Sequence, residues 1–374
     1  MANPAEARAA SRLAALDWMR GLVMVLMAID HSSDAFNGGR LFTDAARMWH
    51  AGAPLPAVQF LTRWITHLCA PTFVFLAGTG LAFTVSRLVS TGARGIDRYI
   101  LVRGLIIAAF ELWISLTVMP HGLYVLQVLY GIGSAYMVMA LLRRLPDRAA
   151  LVVALLLMAG SELLVTAANG HGLSNSLPVQ LLLTGGVRGP VIIAYPTIPW
   201  LGVMLLGWWW GRRLVTSPSA RDRAARDLSR AGLAALLLFV VLRAANAYGN
   251  MRLYRDSWAP LQWLHVSKYP PSLTYDALEL GLMALLLAGL FLLASRRRAT
   301  PNSLLMVLGQ VPMFFYLLHF AILVQSARLL GLERKYGAGS SYAGAALVVA
   351  LLYLPCRWYR GYKAAHRAGW ARFI

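Results

Sequence analysis

The chain is poor in cysteine, in acidic residues and in charged residues of any kind. Its 374 residues include 2 cysteines, Cys69 and Cys356. Both lie in or beside predicted spans near opposite faces, so no disulfide framework is predicted. The sequence has no CxxC or HExxH pattern, no Walker loop, no GxGxxG turn after a strand and no internal repeat. These absences argue against an ATP-driven pump and against the common motif-borne zinc and dinucleotide sites.

Charge is scarce while hydrophobic residues are abundant. Charged residues make up 13% of the chain, against about 25% in soluble domains, and the mean hydropathy is +0.59. Apolar runs of near-spanning length recur along the whole chain, and they are too continuous for barrel strands. We therefore predict an all-α, polytopic membrane protein with about ten transmembrane helices. The predicted spans are 14–34, 60–86, 99–118, 122–142, 149–168, 195–214, 231–248, 273–294, 304–326 and 342–357.

The net charge of +20 is distributed unevenly between the two faces that ten spans would create. If the N-terminus is cytosolic, 24 of the 35 lysines and arginines fall in cytosolic loops and the helix ends that flank them. The positive-inside rule then predicts an N-in, C-in protein of the inner (plasma) membrane. We attribute the basic charge to topology and do not expect nucleic-acid binding.

One membrane domain is predicted to fill residues 1–374, with short basic cytosolic tails at 1–13 and 358–374. The first span has no small-residue cleavage site after its apolar core, so it is interpreted as a retained helix. The longest cytosolic connection, 212–230, has room for a short interfacial helix. The outer connections at 37–56, 169–200 and 250–272 are rich in glycine, proline and aromatic residues, a composition suited to building pockets.

The first span, "LDWMRGLVMVLMAIDHS" (16–32), carries ionisable residues at both ends. His31 lies about 21 Å beyond Asp17 along a helix, and Asp17, Arg20 and His31 project within an arc of about 60°. One stripe of this helix is therefore polar at both ends and apolar between them. Asp30 falls about 100° from His31 and is available to a different neighbour.

Other polar residues are predicted to reach the same extracytoplasmic depth as His31. Arg63 and His67 begin the second span one turn apart, Tyr316 and His319 end the ninth, and Lys268 and Tyr269 precede the eighth. The topology predicts a similar depth for these residues but not contact between them. Each also has a structural interpretation, such as an interfacial hydrogen bond or a snorkelling arginine. A metal site is not expected, because the span histidines form no i,i+3 or i,i+4 pair.

Five ordered motifs resemble bacterial members of the heparan-alpha-glucosaminide N-acetyltransferase catalytic-domain family, within the broader transmembrane acyltransferase group. They are the 16–32 stretch, "THLCAPTFVFLAGTG" (66–80), "YPTIPWLGVMLLGWWWG" (195–211), "SKYPPSLTYDALELG" (267–281) and "LGQVPMFFYLLHFAIL" (308–323). The resemblance covers roughly residues 12–356. It implies transfer of an acetyl or longer acyl group from cytosolic acyl-CoA to a glucosamine-like or other sugar acceptor on the opposite face.

On this resemblance, Arg20 would hold coenzyme phosphates, with Asp17 orienting it. His31 would act as general base or brief acetyl carrier, with Asp30, His67 and His319 as further catalytic candidates. Arg63, Lys268, Tyr269 and Tyr316 are the candidates for substrate binding. Acetyl-CoA is the expected donor, a lipid bilayer and a sugar or glycan are the expected partners, and a homodimer is left open.

The resemblance is incomplete at one position. The human lysosomal family member has an asparagine where His31 stands and a separate histidine before Trp-Asn-Gly, for which the nearest counterpart here is His50 in "MWHAGAP". We favour His31 as the catalytic histidine. The competing functions are a transporter or permease of a small solute, which would use the same polar cluster as a binding site, and a membrane scaffold without enzymatic activity.

Overall fold

The computed structural model of the chain describes residues 4–119, 122–297 and 299–366, with side chains from residue 14 onward. Most of these residues are helical, which confirms the all-α prediction. The helices are α1 (Pro4–Phe36), α2 (Ala57–Trp64), α3 (Cys69–Ser90), α4 (Ile96–Thr117), α5 (Val128–Leu142), α6 (Asp147–Gly170), α7 (Leu177–Val179), α8 (Thr197–Thr216), α9 (Pro218–Ala245), α10 (Pro260–Leu264), α11 (Leu273–Arg296), α12 (Leu304–Gln310), α13 (Pro312–Leu329) and α14 (Gly339–Ala365).

A small sheet of three strands accompanies the helices. The strands are β1 (Tyr124–Leu126), β2 (Gly186–Arg188) and β3 (Val191–Ile193), in the order β1-β3-β2. β3 pairs in parallel with β1 and antiparallel with β2. The sheet closes connections between helices and adds no separate layer, so the helices alone set the architecture.

Within the described residues, seven stretches are long and apolar enough to cross a membrane, which confirms a polytopic membrane protein. They are Ala57–Ser90, Ile96–Thr117, Asp147–Gly170, Pro218–Ala245, Leu273–Arg296, Pro312–Leu329 and Gly339–Ala365. α1, α5 and α8 complete the predicted set as helices but are more polar or shorter than these seven. Ten spans and the N-in, C-in orientation stay predictions.

Several predicted boundaries differ from the structure. The span at 60–86 is two helices with a tight turn at residues 65–68, and the span at 304–326 is broken at Val311. The span at 122–142 begins late, because residues 124–126 form β1. In place of a separate interfacial helix at 212–230, α9 starts at Pro218 directly after α8.

The segments predicted as tails continue the terminal helices. α1 already begins at Pro4, and α14 extends to Ala365. Residues 1–3 and 367–374 lie outside the described part of the chain.

Glycines allow α1 to contact its neighbours through the backbone. A Cβ on Gly309 of α12 would lie 1.9 Å from the carbonyl oxygen of Asp17, and one on Gly21 would lie 2.0 Å from that of Leu305. Without side chains at these two positions, α1 and α12 cross in direct backbone contact. This contact places Gln310 beside Asp17.

Contacts between helices define the two ends of the bundle. α1 is antiparallel to α3, because Val23 contacts Cys69 while Arg20 contacts Gly80. α1 is parallel to α13, because Gln310, just before α13, contacts Asp17 while His319 contacts His31. We call these ends the Arg20 end and the His31 end.

Glu111 of α4 has a structural role in the packing of α4 against α5. Its carboxylate accepts hydrogen bonds from the backbone N–H groups of Leu129 and Tyr130, at 2.9 and 3.1 Å. These are the first N–H groups of α5, which have no acceptor within their own helix. Glu111 therefore caps a helix that begins among buried side chains.

Candidate active site

Asp17 and Arg20 form an ion pair at the Arg20 end. Arg20 Nη1 donates to Asp17 Oδ1 at 2.9 Å, and the Gln310 amide donates to the other carboxylate oxygen at 3.3 Å. Asp17 thus holds one side of the Arg20 guanidinium in place. The predicted orientation of Arg20 by Asp17 is present in the geometry.

A cavity of about 540 Å³ opens beside this pair and follows the stripe of α1 predicted from helical spacing. Its polar lining includes Asp17 and Arg20 of α1, Arg103 of α4 and Lys363 of α14. Apolar residues of α1, α3, α5 and α13 form the rest of the wall, namely Met24, Met27, Phe73, Leu76, Ile132, Met313 and others. The cavity is therefore basic at one end and hydrophobic along its length, and its volume suits a small-molecule ligand.

The hydrophobic part of the cavity leads toward His31. Tyr316 lines the wall, and its ring lies edge-on to the His31 imidazole with 5.9 Å between ring centroids. Met27, one helical turn before His31, lines the same wall. Arg20 and His31 are eleven residues apart, or roughly 16 Å along the helix axis. The cavity thus runs from Arg20 along the apolar middle of α1 as far as Met27, one helical turn short of His31.

His31 is paired with His319 of α13. The His31 Nδ1 and the His319 Nε2 are 2.8 Å apart, and the planes of the two rings are nearly parallel, with 14° between them. His319 is fully buried, whereas His31 retains 9% of its accessible surface. His31 is therefore the member of the pair that a ligand is able to reach.

The protonation of this pair follows from a third contact. The His319 Nδ1 lies 2.8 Å from the carbonyl oxygen of Phe315, and a carbonyl only accepts, so this nitrogen carries the proton. In a neutral His319 the Nε2 is then an acceptor, so the His31 Nδ1 donates to it. The His31 Nε2 is left with a free lone pair, which is the form of imidazole that acts as a base.

Asp30, the residue before His31, contacts arginines. Its carboxylate lies 2.6 Å from Arg63 Nη1 and 2.9 Å from Arg40 Nη2, and it accepts a hydrogen bond from the Thr66 hydroxyl at 3.0 Å. The hydrogen-bonding partner of His31 is His319. Asp30 pairs with arginines of neighbouring segments, as its 100° offset on α1 allowed, and it does not form a hydrogen bond with His31.

Arg63 joins Asp30 to a second carboxylate, Asp44, which lies in the outer connection 37–56. Arg63 Nη2 is 2.6 Å from Asp44 Oδ2, and Arg63 Nε donates to the same oxygen at 2.7 Å. Arg63 Nη2 also donates to the Tyr269 hydroxyl at 3.3 Å. We call Asp30, Arg40, Asp44 and Arg63 the buried ion cluster; it contains two acids and two bases. Arg63 donates hydrogen bonds to the two carboxylates of this cluster and to Tyr269. The predicted role of Arg63 in substrate binding therefore stays a prediction.

Asp44 remains ionised in this setting. Burial alone would raise the pKa of its carboxyl group, but the Arg63 guanidinium and His67 beside it hold that pKa well below its ordinary value. The backbone carbonyl of Asp44 also accepts from the N–H groups of Lys268 and Tyr269, at 2.8 and 3.2 Å. Asp44 therefore fastens two outer connections to α2.

His67, Lys268 and Tyr269 surround the buried ion cluster, whereas His31, His319 and Tyr316 form the neighbouring pair site. His67 Nε2 lies 3.2 Å from Asp44 Oδ1. The Lys268 ammonium is buried and lies 5.4 Å from the centroid of the Tyr269 ring. The structure brings these residues together in two adjoining groups, and their common extracytoplasmic depth stays a prediction.

His50, the alternative catalytic histidine, is exposed in the connection 37–56. Its neighbour Trp49 packs on His265, with ring centroids 4.6 Å apart. Tyr316, which lines the cavity, contacts the rings of both His31 and His319, whereas His50 is not among the residues that line the cavity. The geometry favours His31 over His50.

Sequence reasoning missed Arg40, Asp44, Arg103, Lys363 and the Phe315 carbonyl. Arg103 and Lys363 were assigned to the basic cytosolic face, where their contribution to a cavity has no sequence signature. The one available signal was for Asp44. It is an acidic residue in the connection 37–56, predicted to be an outer one, and the nearest basic residues in sequence are Arg40 and Arg47. A span arginine such as Arg63 needs a carboxylate partner, and the outer connections hold few.

Comparison with known families supports the resemblance found in the motifs. The model of the family described as "Heparan-alpha-glucosaminide N-acetyltransferase, catalytic" matches residues 12–248, which is more than half of the chain. No curated protein matches the chain. The chain therefore belongs to this family, and membership implies acetyltransferase activity in general.

The buried ion cluster predicts that Asp44→Asn is strongly destabilising. The substitution keeps the shape of the side chain but leaves Asp30 as the one carboxylate between Arg40 and Arg63 in the cluster, and an uncompensated buried charge of this kind costs about 3–5 kcal/mol. Asp97→Asn is the matched control, because Asp97 pairs with Arg143 and Arg144 at a more exposed site, where ion pairs contribute about 0.2–1 kcal/mol. Thermal unfolding of the purified proteins in one detergent measures both.

The pH dependence of this effect has a defined sign. Because the pKa of Asp44 is lower in the folded protein than in the unfolded chain, its contribution is fully present above the unfolded value of about 4 and is lost only in stronger acid. The difference between wild type and Asp44→Asn should therefore be equal at pH 6 and pH 8. Equal stabilities of Asp44→Asn and Asp97→Asn would contradict the assignment.

Proposed function

We propose that this member of the heparan-alpha-glucosaminide N-acetyltransferase catalytic family moves acetyl from acetyl-CoA to an amine or hydroxyl group of a sugar on the opposite side of the membrane. The donor enters at the Arg20 end and the acceptor at the His31 end. The observation that carries the proposal is the cavity, which is basic at the Arg20 end, hydrophobic along its length and bounded near His31 by Tyr316.

The cavity suits the chemistry of an acyl-CoA. The nucleotide and pyrophosphate are anionic, and Arg20, Arg103 and Lys363 supply basic groups around the cavity. The pantetheine arm has about twelve bonds between pyrophosphate and sulfur, equal to about four extended residues or roughly 14 Å. This length is close to the roughly 16 Å that separates Arg20 and His31 along α1. A donor held by its phosphates therefore delivers its thioester to the neighbourhood of His31.

His31 supplies the proton transfer. Its Nε2 accepts a proton from the acceptor amine or hydroxyl as that group attacks the thioester carbonyl. A tetrahedral intermediate forms and then collapses, breaking the carbon–sulfur bond. The proton on His31 passes to the departing sulfur, which yields free CoA and the acetylated acceptor. His319 is a positioning residue in this scheme, because it fixes which nitrogen of His31 is free.

The sidedness of the reaction tests the proposal as a whole. Membrane vesicles of the two opposite orientations are prepared with labelled acetyl-CoA outside and glucosamine as probe acceptor inside. Labelled acetylglucosamine should accumulate in the lumen only when the Arg20 end faces outward. Equal rates in both orientations would contradict the proposal, and release of intact glucosamine from the lumen without acetylation would support the competing transporter.

Replacing His31 should remove the chemistry while keeping the fold. His31→Ala is expected to lower turnover by about 10²–10⁴-fold, the usual contribution of a general base, whereas His50→Ala should leave turnover unchanged. His319→Gln retains an oxygen that accepts the His31 N–H, so it should keep more activity than His319→Phe. Turnover is measured in vesicles of the active orientation. Undiminished turnover of His31→Ala would refute its role.

Replacing Arg20 should weaken the binding of the donor, acetyl-CoA. Loss of a hydrogen bond to a charged group costs about 1.5–3 kcal/mol, so Arg20→Ala should raise the Kd for acetyl-CoA by roughly tenfold to a hundredfold. Arg94→Ala is the control, since Arg94 lies in the connection before α4 and does not line the cavity. Calorimetric titration of detergent-purified protein measures the affinity. An unchanged Kd would remove Arg20 from the donor site.

A further inference from the structure

A second basic groove, separate from the cavity, lies at the Arg20 end between α6, α8 and α9. Its volume is about 340 Å³, and its basic lining consists of Arg148, Arg213 and Arg223. It shares no lining residue with the cavity beside Arg20. Its end of the bundle follows from packing: Gly211 of α8 contacts Thr79, and the next residue, Gly80, faces Arg20.

The arginines that line this groove are not neutralised by acidic side chains in the described part of the chain. Arg148, Arg213 and Arg223 have no ion pair among the described residues. The one acidic residue in the described lining, Asp147, lies 3.1 Å from Arg212 Nε, which is outside the lining. Three arginines with a neutralised acid at one wall form a site for an anion.

The carbonyl groups that would repel an anion are covered. Arg221 donates to the backbone carbonyls of Leu214 and Val215. These carbonyls are among the last of α8, where the helix itself supplies no N–H donor for them. Thr216 and Ser217 line the groove beside them. The groove therefore presents guanidinium donors, which bind phosphate oxygens.

The surroundings of the groove point to a lipid as the source of the phosphate. Leu151 lines the groove, and along the same helix Leu155 and Leu156 are exposed. On α9, Leu233 and Leu237 are exposed farther from the same end. These leucines lie on apolar helices long enough to cross a membrane, so they continue the groove as a surface for acyl chains.

Trp209 forms one wall of the groove beside Arg213. The Arg213 guanidinium lies 5.0 Å from the centroid of the Trp209 ring, a cation–π contact that orients it. Tryptophan is enriched where a membrane protein meets lipid headgroups. The groove thus combines an oriented guanidinium with a residue type typical of the headgroup region.

We propose that this groove binds the phosphate of an anionic phospholipid, with the headgroup held by Arg148, Arg213 and Arg223 and the acyl chains lying along α6 and α9. Basic pockets between membrane helices recognise anionic headgroups in this way. The proposal is independent of the acetyl-transfer chemistry, because the groove and the cavity have separate linings.

Native mass spectrometry of the full-length protein in detergent tests the proposal. Wild type is titrated with phosphatidylglycerol and, separately, with phosphatidylcholine of the same acyl chains. The test variant is Arg213→Gln/Arg223→Gln, and the matched control is Arg226→Gln/Arg230→Gln, which removes the same charge from exposed positions of α9 outside the groove. The test variant should bind phosphatidylglycerol roughly tenfold or more weakly than wild type, and the control should retain the wild-type affinity.

Equal losses in the test and control variants would overturn the proposal, because they would reflect net charge alone. Equal affinity of wild type for the two lipids would also overturn it. Displacement of the lipid by inorganic phosphate at a similar affinity would assign the groove to a soluble anion and overturn the lipid assignment. Arg213→Lys/Arg223→Lys keeps the charge and should retain most of the binding. If the Gln variant fails to fold, the Lys variant and the wild-type protein decide the outcome. An unchanged affinity of the Lys variant for phosphatidylglycerol supports the proposal, and equal affinity of the wild-type protein for the two lipids overturns it.

Discussion

The ion pair between Arg63 and two carboxylates is the interaction on which the rest of the site depends. Asp30 belongs to α1, Arg63 to α2 and Asp44 to the connection 37–56, so one guanidinium joins three separate segments. Removing charges from water is costly, and their mutual attraction offsets the cost only with close geometry and full hydrogen bonding. The 2.6 Å contacts of Arg63 with both carboxylates satisfy that condition. A buried arrangement of this kind tolerates one geometry, which makes it a device for fixing α1 in rotation and depth.

That fixation reaches His31 through one peptide unit. Asp30 and His31 are successive residues on α1, so their side chains point about 100° apart. When Asp30 is held against Arg63, His31 has to face α13, where His319 accepts its N–H. The Phe315 carbonyl holds His319 in turn. A short chain of contacts therefore sets the direction of the free nitrogen of His31 without a carboxylate touching the imidazole. This explains why the acidic residue beside the histidine in sequence is not its partner in space.

Helical spacing predicted the stripe on α1 and the depth of its polar residues, because both depend only on the rise and twist of one helix. The alignment of Arg20 with His31 is an example, and the cavity follows that alignment. Spacing did not predict which neighbours face the stripe, since rotation of each helix about its own axis depends on the whole packing. His67 was grouped with His31 by depth, but the turn at residues 65–68 directs it toward Asp44. The break at Val311 was not predicted either, because an apolar run has the same hydrophobic pattern whether its helix is continuous or broken.

The distribution of arginines shows where topology is a sufficient explanation and where it is not. A basic excess at one end of a membrane protein needs only the insertion rule, and exposed residues such as Arg226 and Arg230 require nothing more. Arg221 and Arg212 are different, because one covers helix carbonyls and the other neutralises Asp147. Both remove negative potential from the same groove, whose three remaining arginines have no ion pair with an acidic side chain in the described chain. Topology accounts for the presence of positive charge at this end. It gives no reason why the adjacent Asp147 carboxylate and the last carbonyls of α8 should be paired with arginines. A bound anion does give that reason.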